Sequence, residues 1–202
     1  MIERNKRLRF VFTGSSARKL KRGHANLLAG RAWFARLHPL VSCELSFGRL
    51  TERLNRGSLP AVIDSPAPEE DLRAYVGTYL QEEIRGESLA RAIEPFSRFL
   101  NTAGLCNGEL LNFTAIGSDA QVPSRTVREY YHLLEDTLVG HLLLPFQTKG
   151  RKAVATAKFF FFDIGVANVL RRVREVLPGS TEYGRALEHQ VFLELRAYLD
   201  YR

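Results

Sequence analysis

The pattern of hydrophobic and polar residues predicts a chain made mostly of helices, preceded by one strand. Residues 8–13 favour a strand, and the polar turn after them leads into a basic helix that starts at Ala17. This layout is typical of an inner strand in an α/β nucleotide-binding sheet, which is built from several such units. Because the sequence shows one unit, we expect the chain to be an excerpt from a larger protein.

Apolar residues then recur at helical spacing along the middle of the chain. A second helix-like stretch covers residues 45–55 and ends at Gly57. Three prolines within residues 58–68 predict a linker. Two amphipathic helices follow, over residues 71–80 and 89–105. We expect residues 66–108 to form a helical connector.

From residue 109 the pattern changes to helix, turn, helix, strand and strand. Asn112 is a good N-cap for the first of these helices, and Ser124 is a good N-cap for the second. Two β-like segments follow, over residues 141–146 and 158–162, and a basic stretch joins them. This order predicts a winged helix-turn-helix, within a unit that spans residues 109–180. A final amphipathic helix, residues 185–202, is assigned to a last unit that starts at residue 181.

Composition and cysteine usage limit the cellular setting. The chain has 202 residues, of which 45% are hydrophobic and 25% charged, as in ordinary globular proteins. No stretch approaches the roughly 20 apolar residues of a membrane helix, and the start lacks the apolar segment of a signal peptide. Cys43 and Cys106 are isolated and lack metal-site spacing, which favours a reducing compartment. We expect a cytoplasmic protein that does not bind membranes.

The positive charge is concentrated in the first third of the chain. Residues 1–60 hold 13 Lys or Arg against 3 acids (+10), and residues 61–202 hold 16 against 19 (−3), which together give the net charge of +7. A basic segment of this kind favours contact with the phosphates of a nucleotide or of a nucleic acid. The alternative is that acids elsewhere in a longer protein balance this charge.

The sequence lacks the signatures of nucleotide hydrolysis and of metal chemistry. No Gly is followed by Lys, so the phosphate loop G-x-x-x-x-G-K-[ST] is absent in every register. Asp64 and Asp163 each follow an apolar stretch, as a magnesium-binding acid would, but neither is followed by a second acid. We interpret the first as part of the linker and the second as a buried strand end. We expect no catalytic and no metal-binding residues in this chain.

Polar residues near the start are candidates for sensing a nucleotide. Thr13 and Ser15 follow the first strand, where an α/β sheet presents its ligand-facing edge. Arg18 and Arg31 are candidates for phosphate sensing or for an arginine finger toward a neighbouring subunit. The alternative for Thr13 and Ser15 is a capped turn into the basic helix, and for the arginines a solvated surface position.

The predicted winged helix offers candidates for contact with nucleic acid. The outward face of the second helix and the tip of the wing place polar and basic side chains where such folds meet DNA. These candidates are Ser124, Arg125, Arg128, His132, Lys149, Arg151 and Lys152. Three acids, Glu129, Glu135 and Asp136, dilute the positive charge of that face. The alternative is therefore a module that docks a protein.

Several segments in order resemble a family of prokaryotic predicted AAA+-superfamily ATPases. The first group of segments is Phe12-Thr13-Gly14-Ser15-Ser16-Ala17-Arg18, Leu28-Ala29-Gly30-Arg31-Ala32, Pro39-Leu40 with Glu44-Leu45, and Arg56-Gly57-Ser58-Leu59-Pro60. The second group is Tyr75-Val76-Gly77-Thr78-Tyr79-Leu80-Gln81-Glu82-Glu83-Ile84, Leu134-Glu135-Asp136-Thr137-Leu138, and Lys158-Phe159-Phe160-Phe161-Phe162-Asp163-Ile164-Gly165-Val166. The resemblance covers nearly the whole chain.

The resemblance implies a multidomain parent that uses ATP and magnesium. In that family an ATPase core comes first, followed by a helical segment, a winged-helix region and a restriction-endonuclease-like domain. Thr13 would then be the sensor-type residue of the core, and Arg31 the nucleotide-sensing arginine. Gly184, Glu188 and Glu194 would open the nuclease-like domain, whose D…E-x-K metal site lies on later strands.

These expectations combine into an α+β fold that is predominantly helical. Residues 1–65 would be the remnant of an AAA+ core, followed by the connector, the winged helix and, over residues 181–202, the first helix of a truncated nuclease-like domain. The chain would be a non-catalytic C-terminal portion of an ATP-binding protein that is DNA-linked or regulatory. The alternative is an autonomous winged-helix module that binds double-stranded DNA or docks another protein.

Overall fold

The computed structural model describes residues 11, 13, 35–79, 93–146 and 156–202. The described part is predominantly helical with a small antiparallel sheet, which makes the fold α+β. Its helices are α1 (Leu50–Arg56), α2 (Pro60–Ile63), α3 (Pro68–Ala74), α4 (Ile93–Leu105), α5 (Phe113–Ala120), α6 (Ser124–Asp136), α7 (Ile164–Arg171) and α8 (Thr181–Asp200). Its strands are β1 (Gly140–Leu143) and β2 (Lys158–Phe161), and a π-helical turn (Tyr75–Tyr79) follows α3. The predicted first strand apart from residues 11 and 13, the predicted basic helix and the tip of the predicted wing lie outside the described residues.

Prolines begin helices in the segment that the sequence predicts to be a linker. Pro60 and Pro68 occupy the first positions of α2 and α3. The prediction of a plain linker over residues 58–68 is therefore wrong. The fixed φ of proline suits the first helical turn, where its missing N–H is not needed.

The N-caps of α5 and α6 differ from each other. The Asn112 side chain accepts hydrogen bonds from the backbone N–H groups of Thr114 and Ala115, so the predicted cap of α5 is confirmed. Ser124 is the first residue of α6 and makes no capping hydrogen bond, because Pro123 takes the N-cap position with an extended backbone. The prediction that Ser124 caps this helix is wrong.

Helices α4, α5 and α6 and the two strands form what we call the central unit, residues 93–146 and 156–161. Strand β1 pairs with β2 with Gly140 opposite Phe161, and Leu110 forms a further antiparallel bridge to Lys158. The chain thus runs from helix to bridge, through two helices, and into the strand pair. The predicted buried residues of α6 face the core of this unit, and Val127 and Leu134 are fully buried.

Aromatic side chains fill the core of the central unit. Tyr131 of α6 lies between Phe99 of α4 and Phe159 of β2, with ring centroids 5.0 and 4.9 Å away. Phe159 in turn meets Phe161 edge-on at 5.1 Å. Edge-to-face contacts of this kind add stability beyond the buried area. They hold α4, α6 and the sheet in a fixed arrangement.

A second, smaller core lies where α1, α7 and α8 meet. Its buried side chains are Leu54, Ile164, Val176 and Ala186. The chain after α1 approaches α7 so closely that a Cβ at Gly165 would lie 2.3 Å from the carbonyl oxygen of Arg56. These contacts attach residues 50–58 to the C-terminal helices.

None of the helices in the described ranges is long and apolar enough to cross a membrane.

Candidate functional site

The outward face of α6 is the part of the central unit that presents the predicted contact residues. Ser124, Arg125, Arg128 and His132 are all exposed. The opposite face of α6 is buried, so the helix is held by its apolar side and leaves these side chains to solvent. The structure brings these four predicted residues together on one surface.

The turn before α6 is fixed by close backbone packing. Gln121 ends α5 in the left-handed conformation, with φ 54°, and Val122 is buried. A Cβ at Gly117 would lie 2.6 Å from the carbonyl oxygen of Val122. Helix α5 and the turn can approach each other because residue 117 has no side chain, and this contact sets the direction of α6.

The two arginines of this face are held in different ways. The Nε atom of Arg125 donates to a carboxylate oxygen of Glu129 at 3.2 Å, and both side chains are exposed. Such a surface pair contributes about 0.3–0.5 kcal/mol, so Arg125 can leave it for another anion. The guanidinium of Arg128 lies over the ring of Phe113 at 5.0 Å, which places it beside the start of α5.

The net charge of α6 is slightly negative. Arg125 and Arg128 stand against Glu129, Glu135 and Asp136, which gives −1 over the helix. A carboxylate oxygen of Glu135 accepts the backbone N–H of Leu142 in β1 at 3.4 Å. The electrostatic field of the helix alone therefore does not favour a polyanion.

Apolar side chains are exposed near the end of the sheet. Leu110 is 60% exposed, and Leu144 and Phe146, which follow β1, are 70% and 88% exposed. The three predicted wing cations, Lys149, Arg151 and Lys152, lie outside the described residues.

Of the four nucleotide-sensing candidates, Thr13 alone falls within the described residues. Thr13 is exposed. Ser15, Arg18 and Arg31 fall outside the described ranges, so their predicted roles stay predictions.

Asp163 caps a helix deep inside the molecule. Its side chain is fully buried and accepts the N–H groups of Val166, at the start of α7, and of Ser58, at 3.1 and 2.7 Å. Burial raises the pKa of Asp163 to about 6, although these backbone hydrogen bonds act to lower it. Asp64 is the C-cap of α2. Within the described residues, no group of three His, Cys, Asp or Glu side chains could hold a metal ion.

A partly buried ion pair joins α1 to α8, and the sequence analysis does not predict it. Arg53, 3% exposed, donates to a carboxylate oxygen of Glu194 at 2.6 Å and to the hydroxyl of Ser42 at 2.8 Å. Burial alone would raise the pKa of Glu194, but hydrogen bonds from Ser42 and Arg53 lower it below its usual value. One signal could have indicated such a pair: an arginine on the apolar side of a helix needs a buried acceptor.

His189 of α8 is fixed against the central unit. Its Nε2 atom lies 2.7 Å from the carbonyl oxygen of Phe161, and its Nδ1 atom lies 3.3 Å from the side-chain amide of Asn107. Burial lowers the pKa of His189 to about 4. A neutral ring that donates from Nε2 and accepts at Nδ1 satisfies both partners.

Comparison with known proteins identifies a family. Residues 48–176 match a family model described as Domain of unknown function (DUF8612). The chain belongs to the DUF8612 family. No curated protein and no solved structure matches the chain.

The DUF8612 region begins two residues before α1 and ends at Val176, a buried residue of the second core. Its last residue is joined to α1 by two hydrogen bonds. The backbone N–H of Val176 donates to the side chain of Asn55 at 2.7 Å, and the Asn55 amide donates back to the carbonyl oxygen of Val176 at 3.1 Å. The region includes the outward face of α6 and the Asp163 cap. Helix α8 lies beyond it.

Proposed function

We propose that the chain is a non-catalytic, DNA-linked or regulatory part of an AAA+-type ATP-binding protein. In this proposal the central unit is a winged helix-turn-helix that contacts the partner. The observation that carries the proposal is the outward face of α6, where Ser124, Arg125, Arg128 and His132 stand together on a rigidly packed helix. The order of helix, bridge, two helices and strand pair supports the assignment of the fold.

Two segments of the AAA+ resemblance also meet in the structure. Residues 56–60 and 158–166 lie in different parts of the chain, and Asp163 joins them by accepting the N–H of Ser58. This contact explains why a fold that contains one of these segments also contains the other. ATP and magnesium would belong to a phosphate loop elsewhere in such a protein, because no Gly-Lys pair is present in this chain to hold them.

DNA is the first candidate partner. Arg125 is free to exchange its exposed carboxylate partner for a phosphate, and the Phe113 ring holds Arg128 beside the start of α5. The wing cations Lys149, Arg151 and Lys152 add three charges to the same unit of the sequence. Contacts of this kind are mostly electrostatic and do not depend strongly on sequence.

Fluorescence anisotropy of a labelled duplex tests this candidate. If about five phosphates are engaged, log K should fall against log salt with a slope of about −4 to −5. Arg128→Ala should remove roughly one unit of that slope. The control is Arg73→Ala, since Arg73 of α3 is also an exposed arginine and lies outside α6. Equal effects of the two substitutions would contradict contact through α6.

Protein docking is the second candidate, and the acids of α6 favour it. The helix carries a net charge of −1, and exposed Leu144 and Phe146 offer apolar area near the sheet. A partner with basic and apolar side chains suits this surface. Absence of DNA binding at low salt, with the chain folded, would assign the central unit to protein docking.

A further inference from the structure

Helix α8 and the two residues after it expose a long stripe of side chains, of which Glu188 also contacts Lys158 of the same chain. The stripe has six exposed residues separated alternately by four and three positions, five within α8 and the last just beyond its end: Gly184, Glu188, Val191, Leu195, Tyr198 and Arg202. Leu195 is 58% and Tyr198 is 50% exposed. Spacing of 4 and 3 is the pattern by which two helices pack along a common seam.

The two ends of the stripe carry opposite charges. Glu188 lies near the N-terminal end, where Lys158 of the same chain contacts it at 2.5 Å. Arg202 lies at the C-terminal end, and its guanidinium folds back over the ring of Tyr198 at 4.3 Å. The apolar residues Val191 and Leu195 lie between these ends.

Gly184 has no role in the packing that the structure describes. A Cβ added there would meet no atom of the described residues within 4 Å. Glycine inside a helix destabilises it relative to alanine. No contact within the described structure requires a glycine at this exposed helical position. Close approach of another chain to the helix at residue 184 would explain it.

We propose that this stripe pairs with the same stripe of a second copy of the chain, in antiparallel orientation. Val191 then lies opposite Leu195 of the second copy, and Tyr198 opposite Glu188. The folded-back Arg202 comes near the same Glu188, and its backbone lies opposite Gly184. A two-fold axis repeats each contact, as in most homodimers.

Charge selects this orientation over the parallel one. A parallel pair would place Glu188 beside Glu188 and Arg202 beside Arg202, which repel each other. An antiparallel pair places each acid near an arginine. The stripe is thus complementary to itself in one orientation.

Sedimentation velocity of the full chain tests the proposal. We expect dimers at concentrations up to about 100 µM, with a dissociation constant in the micromolar range. Leu195→Glu should raise that constant more than about 100-fold, because it places two carboxylates in the apolar seam. The matched control is Leu105→Glu, since Leu105 at the end of α4 is 59% exposed and lies off the stripe. A monomeric wild-type chain, or equal effects of the two substitutions, would overturn the proposal.

Charge reversal tests the orientation, and it avoids the apolar seam. Arg202→Glu alone should raise the dissociation constant about tenfold, because it replaces two attractive contacts by two repulsive ones. Because Lys158 of the same chain contacts Glu188, the full reversal combines Arg202→Glu with Glu188→Arg and Lys158→Glu, and it should restore the wild-type constant in an antiparallel dimer. Failure of this triple variant to recover would overturn the antiparallel arrangement.

Discussion

At the scale of single residues, buried polar side chains join parts of the chain that are far apart in sequence. Asp163 joins residue 58 to α7, Arg53 joins α1 to Glu194, and His189 joins α8 to the sheet. Each side chain satisfies backbone or charged groups that burial would otherwise leave without partners. The free energy of unfolding should therefore be sensitive to these few positions.

Replacement of Asp163 tests this sensitivity. Asp163→Ala removes the N-cap of α7 and the acceptor for the buried N–H of Ser58, so it should lower the free energy of unfolding by about 2–5 kcal/mol. The matched control is Ser180→Ala, which removes the N-cap of α8 and should cost about 1 kcal/mol. Urea denaturation measures both. A cost for Asp163→Ala no larger than the control would contradict this role.

Two buried histidines should make the protein sensitive to acid. Burial, with the nearby charge of Arg196, lowers the pKa of His141 to about 4, and burial lowers that of His189 to about 4. As the pH falls from about 6.5 to about 4, these two histidines are protonated in the unfolded state before they are protonated in the folded state. Each histidine therefore contributes stability above pH 6.5 that is lost toward pH 4, on the order of 3 kcal/mol.

Asp163 acts in the opposite direction over the same range. Its folded pKa of about 6 lies above the unfolded value, so its protonation adds stability as pH falls from about 6. The two histidines outweigh the one acid, and we expect the free energy of unfolding to be on the order of 3 kcal/mol lower at pH 4 than at pH 7. His189→Gln keeps a donor and an acceptor and should reduce this loss in urea denaturation. An unchanged pH profile for that variant would contradict the assignment.

At the scale of elements, periodicity predicted the helices that pack through one apolar face. The buried face of α6 and the cap of α5 could be derived from the sequence, because both depend on residues close together along the chain. The helices that begin at Pro60 and Pro68 could not be derived in this way, because proline is common both in linkers and at the first position of a helix. The Arg53–Glu194 pair could not be derived from the sequence either, because its residues lie 141 positions apart.

The junction between α5 and α6 gives a test at this scale. Gly117→Ala would place a Cβ 2.6 Å from the carbonyl oxygen of Val122 and 3.3 Å from the nitrogen of Ser124. We expect it to lower the free energy of unfolding by about 1–3 kcal/mol, because the turn must move away from α5. Thermal unfolding of a dilute sample measures this.

Gly184→Ala is the matched control for that substitution. Residue 184 lies within α8, and a Cβ there meets nothing within 4 Å in the described structure. Alanine should therefore raise the free energy of unfolding by about 0.5–1 kcal/mol in the monomer. If both substitutions changed stability in the same direction, the close approach at Gly117 would not be what fixes the turn.

At the scale of the whole molecule, the segment before α1 is part of the same folded body as α8. The His38 ring lies 2.8 Å from the carboxylate of Asp200, and Ser42 donates to Glu194 at 2.6 Å. Leu54 is fully buried. Deleting the basic first 60 residues would therefore remove core contacts as well as charge. The contribution of that segment to binding has to be measured by substitution in the full chain.

The most direct test of the account compares two doubly substituted full chains in a titration of labelled duplex DNA. One carries Arg125→Ala and Arg128→Ala on α6, and the other carries Lys19→Ala and Lys21→Ala, so each loses two positive charges. We predict that the α6 variant loses most of the affinity and about two units of salt slope, while the N-terminal variant keeps most of both. Loss of binding in the N-terminal variant with the α6 variant unchanged would contradict the account.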